Sequence, residues 1–322
     1  MNRGFWKNKK VLITGFEGFL GSNLTKAMLS LGTKVFGLDI KVHRKDTILS
    51  ASDYKKLVVI KGSVADYTLV NRIIKKNKIN VIFHLAAEAI VGNCHNDPLC
   101  TFSSNIKGTW NILEASRNSR HVQALIIASS DKAYGAHKKL PYKEDAPLIG
   151  RHPYDVSKSC ADLIAHAYFY TYRVPVAVTR CGNIYGPGDF NFSRIVPDAL
   201  KCALNAKTLL IRSDGKFTRD YVYVDDIVNG YITLAEKLKS LKLAGEAFNF
   251  SNEKPITVIE LVEKVFATAG KKSDYKILNK AKYEIRHQYL AANKAREVLS
   301  WRAQHSLESG LLKTIEWMDN VI

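Results

Sequence analysis

Short apolar runs recur along the first 180 residues, each followed by a longer stretch in which apolar positions return every three or four residues. The runs cover residues 10–14, 34–38, 57–60, 80–84, 124–128 and 174–179, are rich in Val, Ile and Leu, and show no polar alternation. A strand reads this way when helices cover both faces of its sheet, since neither face then meets water. The intervening helical patterns fall at 20–31, 67–76, 100–116 and 154–172. Alternation at this spacing predicts an α/β fold with a doubly wound parallel sheet. Beyond Arg180 the texture changes. Gly182, Gly186-Pro187-Gly188, Gly215 and the stretch 249–255 punctuate shorter elements, with helical patterns at 224–238, 256–269 and 306–319. The expected organisation is a sheet domain over 1–180, rejoined by about 217–245, and a smaller α+β lobe over 181–216 and 246–322.

Composition narrows the classes. At 322 residues and 46 % apolar, the chain can bury a sizeable core without disulfides or metals. No run of 18 apolar residues exists, so no bilayer-spanning segment and no membrane partner is expected. The charged start is followed only by Val11-Leu12-Ile13, which breaks at Thr14-Gly15, so no signal-peptide core is present and a cytoplasmic chain is expected. The outlying quantity is the charge: 48 Lys+Arg against 30 Asp+Glu, a formal +18. That excess suggests an anionic partner. Its densest patches (7–10, 72–78, 138–139 and 271–272) are short, scattered and dominated by Lys, which reads phosphate as a point charge and not by bidentate fit. A solvated basic surface is thus favoured over a nucleic-acid site. The five cysteines form no C-x-x-C pair and the histidines no metal spacing, so reduced thiols and no metal are expected.

The first run ends in Thr14-Gly15-Phe16-Glu17-Gly18-Phe19-Leu20-Gly21 and a helix follows. Gly15, Gly18 and Gly21 permit a tight turn, close approach to a pyrophosphate and close helix–sheet packing, with the helix N-terminus aimed at the anion. Asp39 ends the second run, 24 residues after Gly15, where a carboxylate accepts hydrogen bonds from an adenosine ribose. The sheet is therefore of Rossmann type and the expected cofactor is NAD, because a 2′-phosphate would meet the like charge of Asp39. Lys41 and Arg44 close by leave NADP open.

Tyr154 and Lys158 stand at i and i+4 of a helical pattern and so share one face. A phenol is a poor base at neutral pH. A nearby ammonium and an oxidised nicotinamide favour the phenolate, which suits Tyr-x-x-x-Lys to taking a proton from a sugar hydroxyl. Ser130 lies at the end of the fifth run, placed to donate to the same oxygen, and Asp131-Lys132 follow it. Consecutive strand residues face opposite ways. Asp131 and Lys132 reach one ligand only if the strand has already ended, as Ala133-Tyr134-Gly135 suggests.

Together with Phe83-His84-Leu85-Ala86-Ala87, Ser104-Asn105 and the segments 180–189 and 219–226, these motifs resemble the extended short-chain dehydrogenase/reductase family, specifically its nucleotide-sugar epimerases and dehydratases. The resemblance runs nearly the whole chain. It implies a catalytic set of Ser130, Tyr154 and Lys158, with the acid and base of a 4,6-dehydratase at Asp131 and Lys132. It implies cofactor contacts from Phe19, Leu20, Ser63, Val64, Ala86, Ala87 and Asn105, besides the glycines, Asp39, Tyr154 and Lys158. Substrate contacts fall to Asn183, Arg194, Arg219 and Arg286, and a homodimer is expected. Asp131-Lys132, the stretch 5–11, residues 188–198 and the region 287–290 look most like CDP-glucose 4,6-dehydratases, and Asp131-Lys132 also looks like inverting UDP-N-acetylglucosamine dehydratases. Such an enzyme forms a 4-keto-6-deoxy sugar nucleotide after transient C4 oxidation by bound NAD. A 4-epimerase, which needs no Asp131-Lys132 pair, is the alternative. A non-catalytic dinucleotide- or RNA-binding relative is a remoter one.

Overall fold

The computed structural model describes residues 2–281 and 284–321, which divide into two compact units. The first comprises residues up to Gly135, 144–180 and 228–248; the second comprises 136–143, 181–227 and 249 onward.

In chain order, the first unit runs α1 (Arg3–Trp6), β1 (Lys10–Thr14), α2 (Phe19–Ser30), β2 (Lys34–Asp39), α3 (Ala51–Tyr54), β3 (Leu57–Lys61), α4 (Tyr67–Asn77) and β4 (Val81–His84). Then follow α5 (Val91–Asn96), α6 (Pro98–Phe102), a π-helical turn (Ser103–Lys107), α7 (Gly108–Arg117), β5 (Ala124–Ala128), a 3₁₀ turn (Asp131–Tyr134), α8 (Pro153–Tyr172) and β6 (Val176–Cys181). The second unit holds β7 (Asn183–Tyr185), α9 (Ile195–Leu204), β8 (Leu209–Ile211), β9 (Thr218–Arg219) and β10 (Tyr221–Tyr223). Helix α10 (Val224–Lys237) leads the chain back into the first unit, and β11 (Ala247–Phe250) leads it out again. The rest is β12 (Ile256–Thr257), α11 (Val258–Thr268), β13 (Tyr275–Ile277), β14 (His287–Gln288), α12 (Asn293–Leu299) and α13 (Leu307–Met318).

The seven-stranded sheet has the order β11-β6-β5-β4-β1-β2-β3, and its first six strands pair in parallel. Strand order reverses between β1 and β4, so the crevice for a ligand opens beyond the carboxyl ends of those two strands. Val11, Leu12 and Ile13 are all fully buried, as an unalternating run requires. One face packs Leu12, Ile82, Leu125 and Ile127 against Val70, Ile74, Ile112 and Leu113 of α4 and α7. The helices end where local chemistry dictates. Asp66 caps α4 by accepting from the Leu69 amide at 3.0 Å, and Lys78 closes it in the left-handed conformation (φ 53°). Pro153 starts α8, where its missing N–H costs nothing.

The expected helix over 100–116 is instead two helices joined by the π turn, which inserts an extra residue and swings Asn105 inward. In the second unit, Asp226 accepts from the backbone of Gln304 and His305 at 3.0 and 3.1 Å, and Trp301 Nε1 donates to its carbonyl. These bonds hold the stretch before α13 on the start of α10. No helix among the described residues is long and apolar enough to cross a membrane, and no cluster of potential metal ligands occurs among them.

Candidate active site

The loop after β1 is closed by Gly15, whose amide donates to Leu38 O at 2.8 Å and whose carbonyl accepts from Gly18 at 3.1 Å. Gly15 has φ +69°, and a Cβ there would lie 2.9 Å from the Ala86 amide nitrogen; one on Gly21 would lie 2.0 Å from Gly15 O. Side chains are thus excluded where a diphosphate has to approach the backbone, and α2 begins at Phe19 and Leu20 with its amides facing that space. Asp39, at the end of β2, accepts from the amides of Glu17 and Lys41 at 3.4 Å each; burial raises its pKa above the usual carboxylate value. Ser63 Oγ accepts from Ala65 N, and Val64 is buried over Gly108 at the end of β3. A glycine turn, a helix N-terminus and a carboxylate acceptor are the groups that a dinucleotide's pyrophosphate and ribose require, so these residues fit it.

Next to this loop, Thr14 Oγ1 accepts from the Leu85 and Ala86 amides at 3.2 Å and pairs with His84 Nδ1 at 2.8 Å. Burial, then the charge of Lys158, lowers the His84 pKa to about 3, so its imidazole is neutral and structural. Asn105, buried on the π turn, exchanges hydrogen bonds with the Glu88 backbone (2.8 and 3.0 Å) and donates to Ser157 Oγ at 2.9 Å. It thereby ties the segment after Ala86-Ala87 to α8. The resemblance implies a cofactor contact for Asn105; in the structure its amide makes these positioning bonds.

The five residues expected to do chemistry all lie in the first unit: Ser130 just before the 3₁₀ turn, Asp131 and Lys132 on it, and Tyr154 and Lys158 on the first half of α8. Strand β5 has ended before Asp131, the condition on which the expectation that Asp131 and Lys132 reach one ligand depends. Ser130 extends the backbone and caps the turn: its Oγ accepts from Lys132 N at 3.2 Å and donates to Asp131 Oδ1 at 2.9 Å. Asp131 is buried, and its Oδ2 has no hydrogen-bond partner among the described residues. The turn is fastened to α8 by Ser159 Oγ donating to Ala133 O at 2.9 Å and by Ser129 Oγ donating to Lys158 O at 3.3 Å. Lys158 Nζ donates to Ala128 O at 2.8 Å and lies 5.9 Å from the centre of the Tyr154 ring. Burial lowers the Lys158 pKa to about 8.

Sequence reasoning missed the groups that hold this arrangement. Arg180, buried on β6, makes a forked pair with Asp162 of α8 at 2.8 and 2.9 Å, and its Nη1 donates to Tyr134 Oη and Glu144 O. Burial opposes ionisation of Asp162, yet Arg180 keeps its carboxyl below the usual range. Asp155, beside Tyr154, is raised by burial while the charge of Lys132 pulls it down. Adjacency to Tyr154 was the one signal available for it.

In the second unit, Asn183 Nδ2 donates to Asp220 O at 3.3 Å between β7 and β10. Arg219 is buried, with Nη1 donating to Arg286 O at 3.0 Å and Nη2 to Ile285 O. Arg219 and Arg286 are thus brought together through the latter's backbone. The Arg286 side chain is exposed. Arg194 precedes α9 and pairs with Asp189 at 3.3 Å.

The chain is similar to known proteins along nearly its whole length. The CDP-glucose 4,6-dehydratase of Salmonella typhimurium is 27 % identical, spanning 98 % of this chain and 92 % of its own. The UDP-glucose 4-epimerase of Mycolicibacterium smegmatis is 29 % identical over 97 % of this chain and 99 % of its own. The crystal structure of dTDP-glucose 4,6-dehydratase from Bacillus anthracis, solved in complex with NAD, superposes with a TM-score of 0.87 at 29 % identity, covering 97 % of both chains. Residues 12–314 match the family described as GDP-mannose 4,6 dehydratase, a span that takes in most of both units. The chain belongs to that family, and with it to the extended short-chain dehydrogenase/reductase enzymes that act on nucleotide sugars as dehydratases or epimerases.

Proposed function

We propose that this enzyme is a nucleotide-diphosphate-sugar 4,6-dehydratase with a CDP-glucose-like substrate, releasing water to form a 4-keto-6-deoxy sugar nucleotide. The observation that carries the reading is the Asp131-Lys132 turn, where a buried carboxyl keeps one oxygen without a hydrogen-bond partner next to a lysine. An epimerase has no use for an acid and a base there. The first unit binds NAD through residues 15–21 and Asp39, while Asn183, Arg194, Arg219 and Arg286 of the second unit recognise the nucleotide diphosphate. NAD supplies, when bound, reversible two-electron oxidation and reduction of the sugar.

Tyr154 takes the C4 hydroxyl proton, with the Lys158 ammonium favouring its phenolate. Ser130 donates to the same oxygen, which requires its hydroxyl to turn from Asp131 Oδ1. The 4-ketone acidifies the C5 proton. Lys132 takes that proton and Asp131 protonates the departing C6 hydroxyl, which leaves as water; with NAD bound, the two electrons removed at C4 would be returned at C6 while Lys132 gives its proton back to C5, so the 4-keto-6-deoxy sugar forms with no net redox change. Each proton transfer contributes about a hundredfold or more.

Incubation with CDP-glucose, dTDP-glucose, UDP-sugars and GDP-mannose in parallel, scored by mass, tests the substrate. Loss of one water, greatest with CDP-glucose, is the expected outcome; an unchanged mass with inversion at C4 would establish the epimerase that several relatives are. Lys132→Ala is expected to stop deuterium exchange at C5, and exchange persisting in that variant removes the lysine from the base role.

The enzyme acts as a cytoplasmic homodimer. Supporting this, Leu163 and Tyr170 on α8, Trp110 on α7 and Leu99 on α6 are 59, 65, 43 and 81 % exposed, apolar surface of the kind that a second copy covers.

A further inference from the structure

Glu17 sits in the middle of the phosphate loop, where a turn needs no charge, and is fully buried. A buried carboxylate is costly unless donors surround it. The amides of His43 and Arg44 each donate to it at 2.7 Å, one to each oxygen. The buried Tyr54 hydroxyl lies beside it, and burial followed by the Glu17 charge raises the pKa of that phenol. Its neighbour Phe16 packs over Gly37 of β2, where a Cβ would lie 2.5 Å from the ring. Both non-glycine residues of the turn are therefore anchored on β2 and on the segment that leaves it.

That segment carries the cation best suited to a 2′-phosphate. Arginine forks onto phosphate as it does onto carboxylate, yet Arg44 already forks onto Asp46, with Nε donating to Oδ1 at 3.0 Å and Nη2 pairing with Oδ2. Asp39 and Glu17 also act on its charge. We infer that Glu17 and Asp46 are specificity-determining residues for the dinucleotide: Glu17 pins the backbone of Arg44, Asp46 occupies its guanidinium, and a 2′-phosphate at Asp39 meets acids with no guanidinium to receive it. A 2′-hydroxyl asks only for the Asp39 acceptor. The inference rests on the reading of residues 15–21 and Asp39 as the NAD site.

The test is isothermal titration of the full chain, stripped of any co-purified nucleotide, with NAD⁺ and NADP⁺. Like-charge exclusion at Asp39 predicts that the wild type prefers NAD⁺ by about a hundredfold. Asp46→Ala, a change at an exposed residue, is expected to tighten NADP⁺ about tenfold with NAD⁺ nearly unchanged, because the released guanidinium gains a charge-assisted bond. Glu17→Gln, which removes the charge and keeps an acceptor for only one of the two amides, narrows the preference in the same direction. Loss of both dinucleotides by the same factor in Glu17→Gln, or a preference unmoved by Asp46→Ala, overturns the inference and leaves the NAD site standing. A wild type that binds neither dinucleotide overturns both.

Discussion

Lys158 shows how far burial alone shapes a reactive group. Its spacing from Tyr154 is plain in the sequence, but its low pKa follows from burial, with the Cys94 side chain opposing the shift. The unfolded chain holds its proton up to the ordinary value of 10.5, whereas the folded chain releases it near 8. Between those values the unfolded state binds more protons, so stability from this group rises with pH; below about 8 the full penalty of burying the ammonium is present. The size of the shift puts that penalty at about 3 kcal/mol. Lys158→Met is accordingly expected to raise the melting temperature of the cofactor-free protein most at pH 7, with the advantage fading toward pH 10.5 in thermal denaturation. Asp131 is the opposite case. Its neighbour Lys132 is visible in the sequence, but the oxygen left without a partner exists only once the turn is buried.

The 3₁₀ turn and α8 behave as one piece because Arg180 and Ser159 join them from outside the chemistry. Removing one member of a buried ion pair leaves the other charge uncompensated, so Asp162→Asn is expected to cost about 3–5 kcal/mol in urea denaturation. Tyr134→Phe removes the hydrogen bond from Arg180 Nη1 and is expected to cost about 1 kcal/mol. In the phosphate loop, Gly21→Ala sets a methyl against the Gly15 carbonyl and is expected to abolish NAD binding in calorimetry, whereas Gly92→Ala, with open space around it, leaves binding intact. Element type and approximate extent were legible for β1 to β6, α2, α4, α8 and α10, since each carries its own apolar period. The π turn was not, because what holds it is the Asn105 bonding to Glu88 and Ser157, residues 17 and 52 positions away.

For the molecule as a whole, the +18 charge finds a modest use. A sugar nucleotide and NAD each bring two phosphoryl groups, which a few cations at the sheet's carboxyl edge would satisfy. The exposed apolar side chains of α7 and α8 are a better guide to association. Leu163→Glu is expected to convert a dimer to a monomer in light scattering, with the secondary structure unchanged by circular dichroism.

The sheet, the glycine turn, the acid at Asp39 and the Tyr154 and Lys158 pair were all legible because each is encoded within one element, by a repeat of apolar residues, a glycine spacing or a helical i, i+4 relation. Burial and partnership are not local quantities. Lys158 against Ala128 joins residues 30 apart, Glu17 against His43 joins residues 26 apart, and Arg180 against Tyr134 joins residues 46 apart. Those pairings fix which charges are shielded, which oxygen stays without a partner and which guanidinium is already taken, and they exist only after the chain has folded.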